Sequence, residues 1–366
     1  MRGDEECQAG FIVFTSLEDR IPADHPLRAI RRMVDQALRE MSPLLSSLYA
    51  KRGRVSIPPE YLLRAQLVQF LYAIPSERRL CEELEYNLLL RWFVGLPIDE
   101  RVWHPTSFTK NRDRLLSGKV AEVFFAHIRE QADAQKLLSR EHFSCDGTLL
   151  EAAASLKSFR SREEVATKDK GGPRSGGRNP EVNFHGERRS NATHVSTTDP
   201  EARLCRIKGK EATLSYRGHV VVENRHGLVV GSLATQATGT AECEAALVLI
   251  HQQRERSGAH MTLAADKGYD TKPFVAALRA LHITPHVAHK RRYSAVDGRT
   301  TRHRSYALSQ RRRKVVEEAF GWMKTVGGLD KLRHRGLAKV HAIFTFACAA
   351  FNLVRMKNLL AELSPA

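Results

Sequence analysis

A chain of 366 residues, 42% hydrophobic and 27% charged, has room for about two domains and enough core to fold without disulfides or a structural metal. Its 58 Lys and Arg against 41 Asp and Glu leave a formal charge of +17, which points to an anionic partner, nucleic acid before a lipid surface. The excess is uneven: residues 1–140 carry 21 basic against 19 acidic side chains, and residues 141–366 carry 37 against 22. Six cysteines without a CxxC pair suggest neither a zinc ribbon nor a disulfide framework by spacing. The longest apolar run, Ala342 to Val354, falls short of the roughly 20 residues that cross a bilayer. With no signal peptide in view, a cytoplasmic protein without a membrane partner is expected.

In chain order, residues 25–116 read as helices. Leu27, Ile30, Met33, Val34 and Leu38 recur at helical spacing, and Pro58-Pro59 suits the first turn of a helix carrying Leu62, Leu63, Leu67, Phe70 and Leu71. After a turn at Ala73 to Ser76, one helix capped by Ser76 carries Leu80, Leu84, Leu88 and Trp92 and stops at Gly95. Another starts near Thr106 and carries Arg112, Asp113 and Arg114. A helix-turn-helix reader of DNA and an ordinary helical bundle both fit this pattern. From His142 the pattern changes to short β-like stretches: Phe143–Asp146, Thr213–Glu223, Leu228–Leu233, Met261–Asp266 and Ile283–Val287. Glu223 to Gly227 reads as a hairpin turn, and helices are expected over Ala241–Arg254 and Lys272–Leu281. The span 157–200, rich in Gly, Pro and charge, reads as a mobile insertion that either closes over a bound ligand or is a plain surface excursion. The expectation is an all-α domain over 1–140 and an α/β (α+β) mixed-sheet domain over 141–366.

Three acids stand where such elements would bring them together. Asp146 in FSCDGTLLEA alternates away from Phe143 and Cys145 and precedes Gly147, which is expected to release the strand. Asp266 in TLAADKGYD ends its strand in the same way. In QRRRKVVEEAFGWMK, helical rotation puts Arg313, Glu317 and Lys324 within about 40° of one another beside the apolar stripe Val316, Phe320 and Met323, with Glu318 turned to solvent. That row alone also fits a surface ion-pair ladder. Asp270 and Glu151 lie near these motifs, where they either support the site or are solvated. The run from His289 to Lys314 holds ten Lys and Arg against Asp297 alone. Within it Arg291, Arg292, Arg311 and Arg312, with Arg313 and Lys324, are the expected contacts to a DNA backbone.

FSCDGTLLEA, LAADKGYD and the run Arg313, three residues, Glu317, six residues, Lys324 resemble an insertion-sequence transposase of the DDE class, close to the insertion sequence five group. The stretch SIPPEYLLRAQLVQFLYAIPSERRLCEELEYNLLLRWFVGL resembles the helical domain that accompanies it. The family signature has a Tyr where this chain has Gln310. The resemblance implies an RNase H-like catalytic domain whose Asp146, Asp266 and Glu317 are catalytic and hold two Mg²⁺ ions, replaceable by Mn²⁺, with Asp146 bridging both. It implies metal-dependent DNA cleavage and strand transfer, first with water and then with the freed 3′-hydroxyl as nucleophile. The partners implied are double-stranded DNA, as terminal inverted repeats and as target, and a second copy of the chain assembled on it, in the bacterial cytoplasm at the nucleoid. A non-mobile metal-dependent nuclease and a non-enzymatic DNA-binding protein are the alternatives on the same scaffold.

Overall fold

The computed structural model describes residues 16–363 except 51, 53–55, 118, 169–188, 207, 208, 210, 258 and 259. Eight helices come first: α1 (Leu17–Arg20), α2 (Pro26–Glu40), α3 (Ser42–Ser47), α4 (Pro59–Leu71), α5 (Glu77–Tyr86), α6 (Leu88–Val94), α7 (Pro105–Ser117) and α8 (Val120–Ala134). Local chemistry sets their ends. Pro59 opens α4, the Ser76 hydroxyl accepts the Arg79 amide at 3.1 Å at the start of α5, and Gly95 closes α6 at φ +94°. The single helix expected from Ser76 to Gly95 is two, because the Asn87 side chain accepts the Leu90 amide and starts α6 afresh. Arg112, read as a basic group of a DNA reader, is buried and ion-paired with Glu77, while Asp113 holds Lys339 at 2.6 Å. Both therefore serve packing.

The second part runs β1 (His142–Glu151), β2 (Phe159–Ser161), α9 (Arg162–Lys168), β3 (His194–Ser196), β4 (Arg203–Cys205), β5 (Thr213–Glu223), β6 (Val229–Gln236), α10 (Ala241–Ser257), β7 (Met261–Ala265), α11 (Lys272–Ala280) and β8 (Ile283–Val287). Then follow α12 (Gly298–Thr301), α13 (Arg304–Arg312), α14 (Val315–Thr325) and α15 (Leu337–Leu363). The main sheet is ordered β6-β5-β1-β7-β8, with β4 prolonging the β6 edge against β5. Strands β1, β5 and β6 are antiparallel, whereas β7 and β8 join β1 in parallel through α10 and α11. This is the RNase H-like arrangement. The β5–β6 turn is held by the buried Glu223 carboxylate, which accepts the amides of Ser139, Arg225, His226 and Leu228.

Strand β1 does not end at Gly147. It continues to Glu151 because β5 pairs with it as far as Ser215, so Asp146 is mid-strand. The flanks of the span read as a mobile insertion pair with each other as β2 and β3, and 169–188 lies outside the described residues. The helix expected across Arg313 and Glu317 is interrupted: α13 stops at Arg312 and α14 starts at Val315, joined by the tighter bonds Val316 N to Arg313 O and Glu317 N to Lys314 O.

Two apolar layers sandwich the sheet. One, around Phe143, Cys145, Leu249, Leu263, Phe274 and Leu278, lies under α10 and α11. The other runs without a break from Ile21 to Leu359 and joins α2, α4, α7 and α8 to β5, β6, α14 and α15. Helix α15 is long and apolar enough to cross a membrane by length and composition, but it is the buried centre of this layer. Its Asn352 bonds both the amide and the carbonyl of Val229, and His341 accepts the Ala234 amide. With Arg129 donating to the Val230 carbonyl, these side chains cover the open edge of β6.

Candidate active site

Alternation along β1 sends Phe143 and Cys145 into the layer under α10 and α11 and Asp146 to the opposite face, toward α14. The parallel pairing of β1 with β7 ends at Ser144 and Ala264. Two residues further along the same register stand Asp146 and Asp266, so both carboxylates leave the sheet on one side where β7 stops. Each is pinned by a local bond: Asp146 Oδ1 accepts the Gly147 amide at 2.8 Å, and Asp266 Oδ1 accepts the Gly268 amide at 2.7 Å.

Burial pushes the Asp146 carboxyl up to about 6, and the charges of Asp266 and Glu242 push the same way against the Gly147 amide and the Arg313 guanidinium. Carboxylate oxygens are hard donors of the kind that suit a divalent cation. Arg313 joins this cluster from the junction of α13 and α14, half-buried, with its Nε enclosed and without a hydrogen-bond partner. Glu317 sits on the exposed first turn of α14, and Lys324, seven residues on, shares its side of the helix. Glu318 is also exposed, 4.0 Å from Arg355. Arg291 and Arg292 after β8, and Arg311 and Arg312 at the end of α13, are all exposed.

Glu242, in the first turn of α10, lies against Gly147 on the face of β1 opposite Asp146. Its Oε1 is 2.5 Å from Arg217, burial raises its pKa, and the nearby Asp266 adds to the rise. An acid in a first helical turn is unremarkable in sequence. Only the pairing of β1 with β5 reveals where it lies. Asp270 is buried and accepts the amides of Lys290 and Ala295 at 2.7 and 2.8 Å, which anchors the loop carrying Arg291 and Arg292. Gln310 donates to the His286 carbonyl, and with Ser309 and Tyr306 it docks α13 on β8. A separate group, Glu40, His127 and Glu130 on α2 and α8, has ligand atoms within 4.8 Å of one another and takes no part in this cluster.

The RNase H-like sheet thus brings two aspartates, Asp146 on β1 and Asp266 just past β7, to one face, with an arginine beside them. Residues 15–114 match the family described as Transposase domain (DUF772), and residues 191–353 match the Transposase DDE domain. The chain belongs to the DDE transposases, and its activity is DNA transposition. The class uses divalent metal ions.

The fold is similar to that in a cryo-EM structure of the piggyBac transposase synaptic complex with hairpin DNA (10% identity, 93% of this chain and 76% of that one, TM-score 0.42). It is also similar to a crystal structure of a pre-cleavage Mos1 transpososome (12% identity, 86% and 82%, TM-score 0.21). No curated protein matches the sequence.

Proposed function

We propose that the chain binds the terminal inverted repeats of an insertion sequence of the insertion sequence five group, cuts there, and joins the freed end to target DNA as a homodimer assembled on DNA in the bacterial cytoplasm. Asp146, Asp266 and Glu317 are its catalytic acids and would hold two Mg²⁺ ions, or Mn²⁺ in their place. The observation that carries this reading is the pair Asp146 and Asp266 leaving adjacent parallel strands on one face, with Arg313 beside them. When bound, the two ions would activate the attacking oxygen and stabilise the leaving one.

The chain's own residues prepare the site for a phosphodiester. The amides of Gly147 and Gly268 fix the two carboxylates, so their charge is in place before DNA arrives. Arg313, whose charge already acts on Asp146, would meet a phosphate oxygen there, and Lys324 lies on the same side of α14 as Glu317. Exposed Arg291, Arg292, Arg311 and Arg312 grip the backbone on either side, a contact that is strong, salt-sensitive and indifferent to sequence. Discrimination of the repeats belongs to residues 1–140, where Lys110 and Arg114 of α7 are exposed.

The test is a strand-transfer assay on DNA carrying the inverted repeats that flank the coding region. Joined products that vanish in Asp146→Asn, Asp266→Asn and Glu317→Gln, with DNA binding retained, support the reading. Cleavage without joining would make the chain a nuclease on the same fold.

A further inference from the structure

We infer that Tyr293 is a stacking platform for an unpaired base at the DNA end handled by Asp146 and Asp266. The inference rests on the reading of those two aspartates as the place where DNA is cut and joined.

The backbone comes first. Among the described residues, four other than glycine have positive φ: Ala73, Lys136, His282 and Tyr293. The first three each lie two residues past the end of a helix, α4, α8 and α11 in turn, where a left-handed residue closes the last turn. Tyr293, at φ +58°, follows no helix. A bulky residue in this conformation is strained, and it persists only where its surroundings impose it.

Those surroundings are a clamp. The buried Asp270 carboxylate accepts the Lys290 amide on one oxygen and the Ala295 amide on the other, and its backbone carbonyl accepts Lys290 Nζ at 2.7 Å. The Ser294 hydroxyl accepts the Val296 amide and donates to the Val296 carbonyl, both at 3.1 Å. Residues 291–294 therefore arch over a fixed base, and the strained turn at its crest leaves Tyr293 96% exposed. The arch leaves β8 at the end of the sheet where Asp266 stands, since β8 runs parallel to β7 and the Ala288 amide bonds the carbonyl of Ala265. A ring that covers nothing takes no part in packing, so strain spent on presenting it is left without a structural purpose.

Charge and shape choose the occupant. Arg291 and Arg292 stand exposed directly before the ring, and Asp297, the nearest acid along the chain, is taken by Arg279 and Arg299. A flat apolar face beside two cations suits a polyanion that carries flat apolar faces of its own, which is nucleic acid. Within a duplex each base is covered above and below by its neighbours. A face is open only where pairing or a strand stops, and cutting a strand creates such a place. Tyr293 meets it with a ring already held out by the backbone, so little has to be ordered on contact.

The test is fluorescence anisotropy of the full chain in EDTA, which reads binding without turnover, on two duplexes carrying the inverted repeat that flanks the coding region. One is blunt at the cut and the other has a few unpaired nucleotides there. The natural protein is expected to prefer the unpaired end. Tyr293→Ala should weaken binding to that end about tenfold more than to the blunt one. Tyr293→Asn should do the same with the left-handed backbone kept, because Asn tolerates that conformation, and Tyr293→Phe should retain the preference. Equal affinity of the natural protein for the two duplexes, a preference undiminished in Tyr293→Ala and Tyr293→Asn, or a loss in Tyr293→Phe as large as in Tyr293→Asn overturns the inference and leaves the aspartate centre standing. A natural protein that binds the repeat no better than a scrambled duplex overturns the reading of the DNA end, and the inference with it.

Discussion

Replacing Asp146 by Asn should stabilise the metal-free protein while removing its activity. Burial and the neighbouring charges of Asp266 and Glu242 raise the Asp146 carboxyl from 3.8 to about 6. A rise of about two units corresponds to about 3 kcal/mol. The folded state keeps a proton that the unfolded chain has already lost, so this contribution is full below about pH 4 and disappears as pH rises through about 6. At pH 8 the ionised carboxylate is a cost of that size, and Asn, which can still accept the Gly147 amide, does not carry it.

Urea unfolding in EDTA at pH 4.5, 6 and 8 should show the variant gaining on the natural protein as pH rises, by up to about 3 kcal/mol. The difference between the two proteins is the quantity to follow, because buried His219 and His286 and half-buried His334, all with lowered pKa values, shift the stability of both at low pH. Mn²⁺ should then stabilise the natural protein and not the variant. A variant less stable than its parent at pH 8, or a difference that does not change with pH, would refute the electrostatic account of the site.

Glu317→Gln should abolish strand transfer while Glu318→Gln leaves most of it, read from joined products at equal DNA occupancy. The reverse result would reassign the α14 acid. Changing Arg291, Arg292, Arg311 and Arg312 together to Gln should weaken binding to repeat and scrambled duplexes alike and reduce the slope of log affinity against log salt by about 3 to 4. Asp270→Ala leaves the Lys290 and Ala295 amides without their acceptor, so it should loosen the loop carrying Arg291 and Arg292, seen as faster amide exchange there. Phe344→Ala should cost about 3–5 kcal/mol in urea unfolding. Gly218→Ala should be destabilising at the same place, because a Cβ there would come within 2.6 Å of the Phe344 ring.

Much of the sheet was legible because its strands are apolar runs bounded by turn chemistry: β5 and β8 fall on the residues their patterns indicate. The two aspartates were legible for the same reason, since strand alternation fixes the side on which each emerges. Where a feature depends on a neighbour, the sequence is silent. The repeat Leu80, Leu84, Leu88, Trp92 keeps helical spacing straight across Asn87, so only the side-chain cap shows the break. Four consecutive cations give no hint that the backbone turns at Arg313 and Lys314. Helix α15 is apolar on nearly every side, which erases the stripe that would mark it as amphipathic.

The apolar layer that runs from Ile21 to Leu359 carries a mechanical consequence. Helix α15 packs against α2, α4, α7 and α8 as well as β5 and β6, so moving the leading helices against the sheet would tear open the protein's own interior. A molecule built this way works as a caliper. If the leading helices grip DNA and Asp146 and Asp266 act on it, as proposed, the acids would meet the strand one fixed number of base pairs away. Lengthening that interval by half a helical turn should carry the scissile phosphate to the far side of the duplex, out of reach of Asp146 and Asp266.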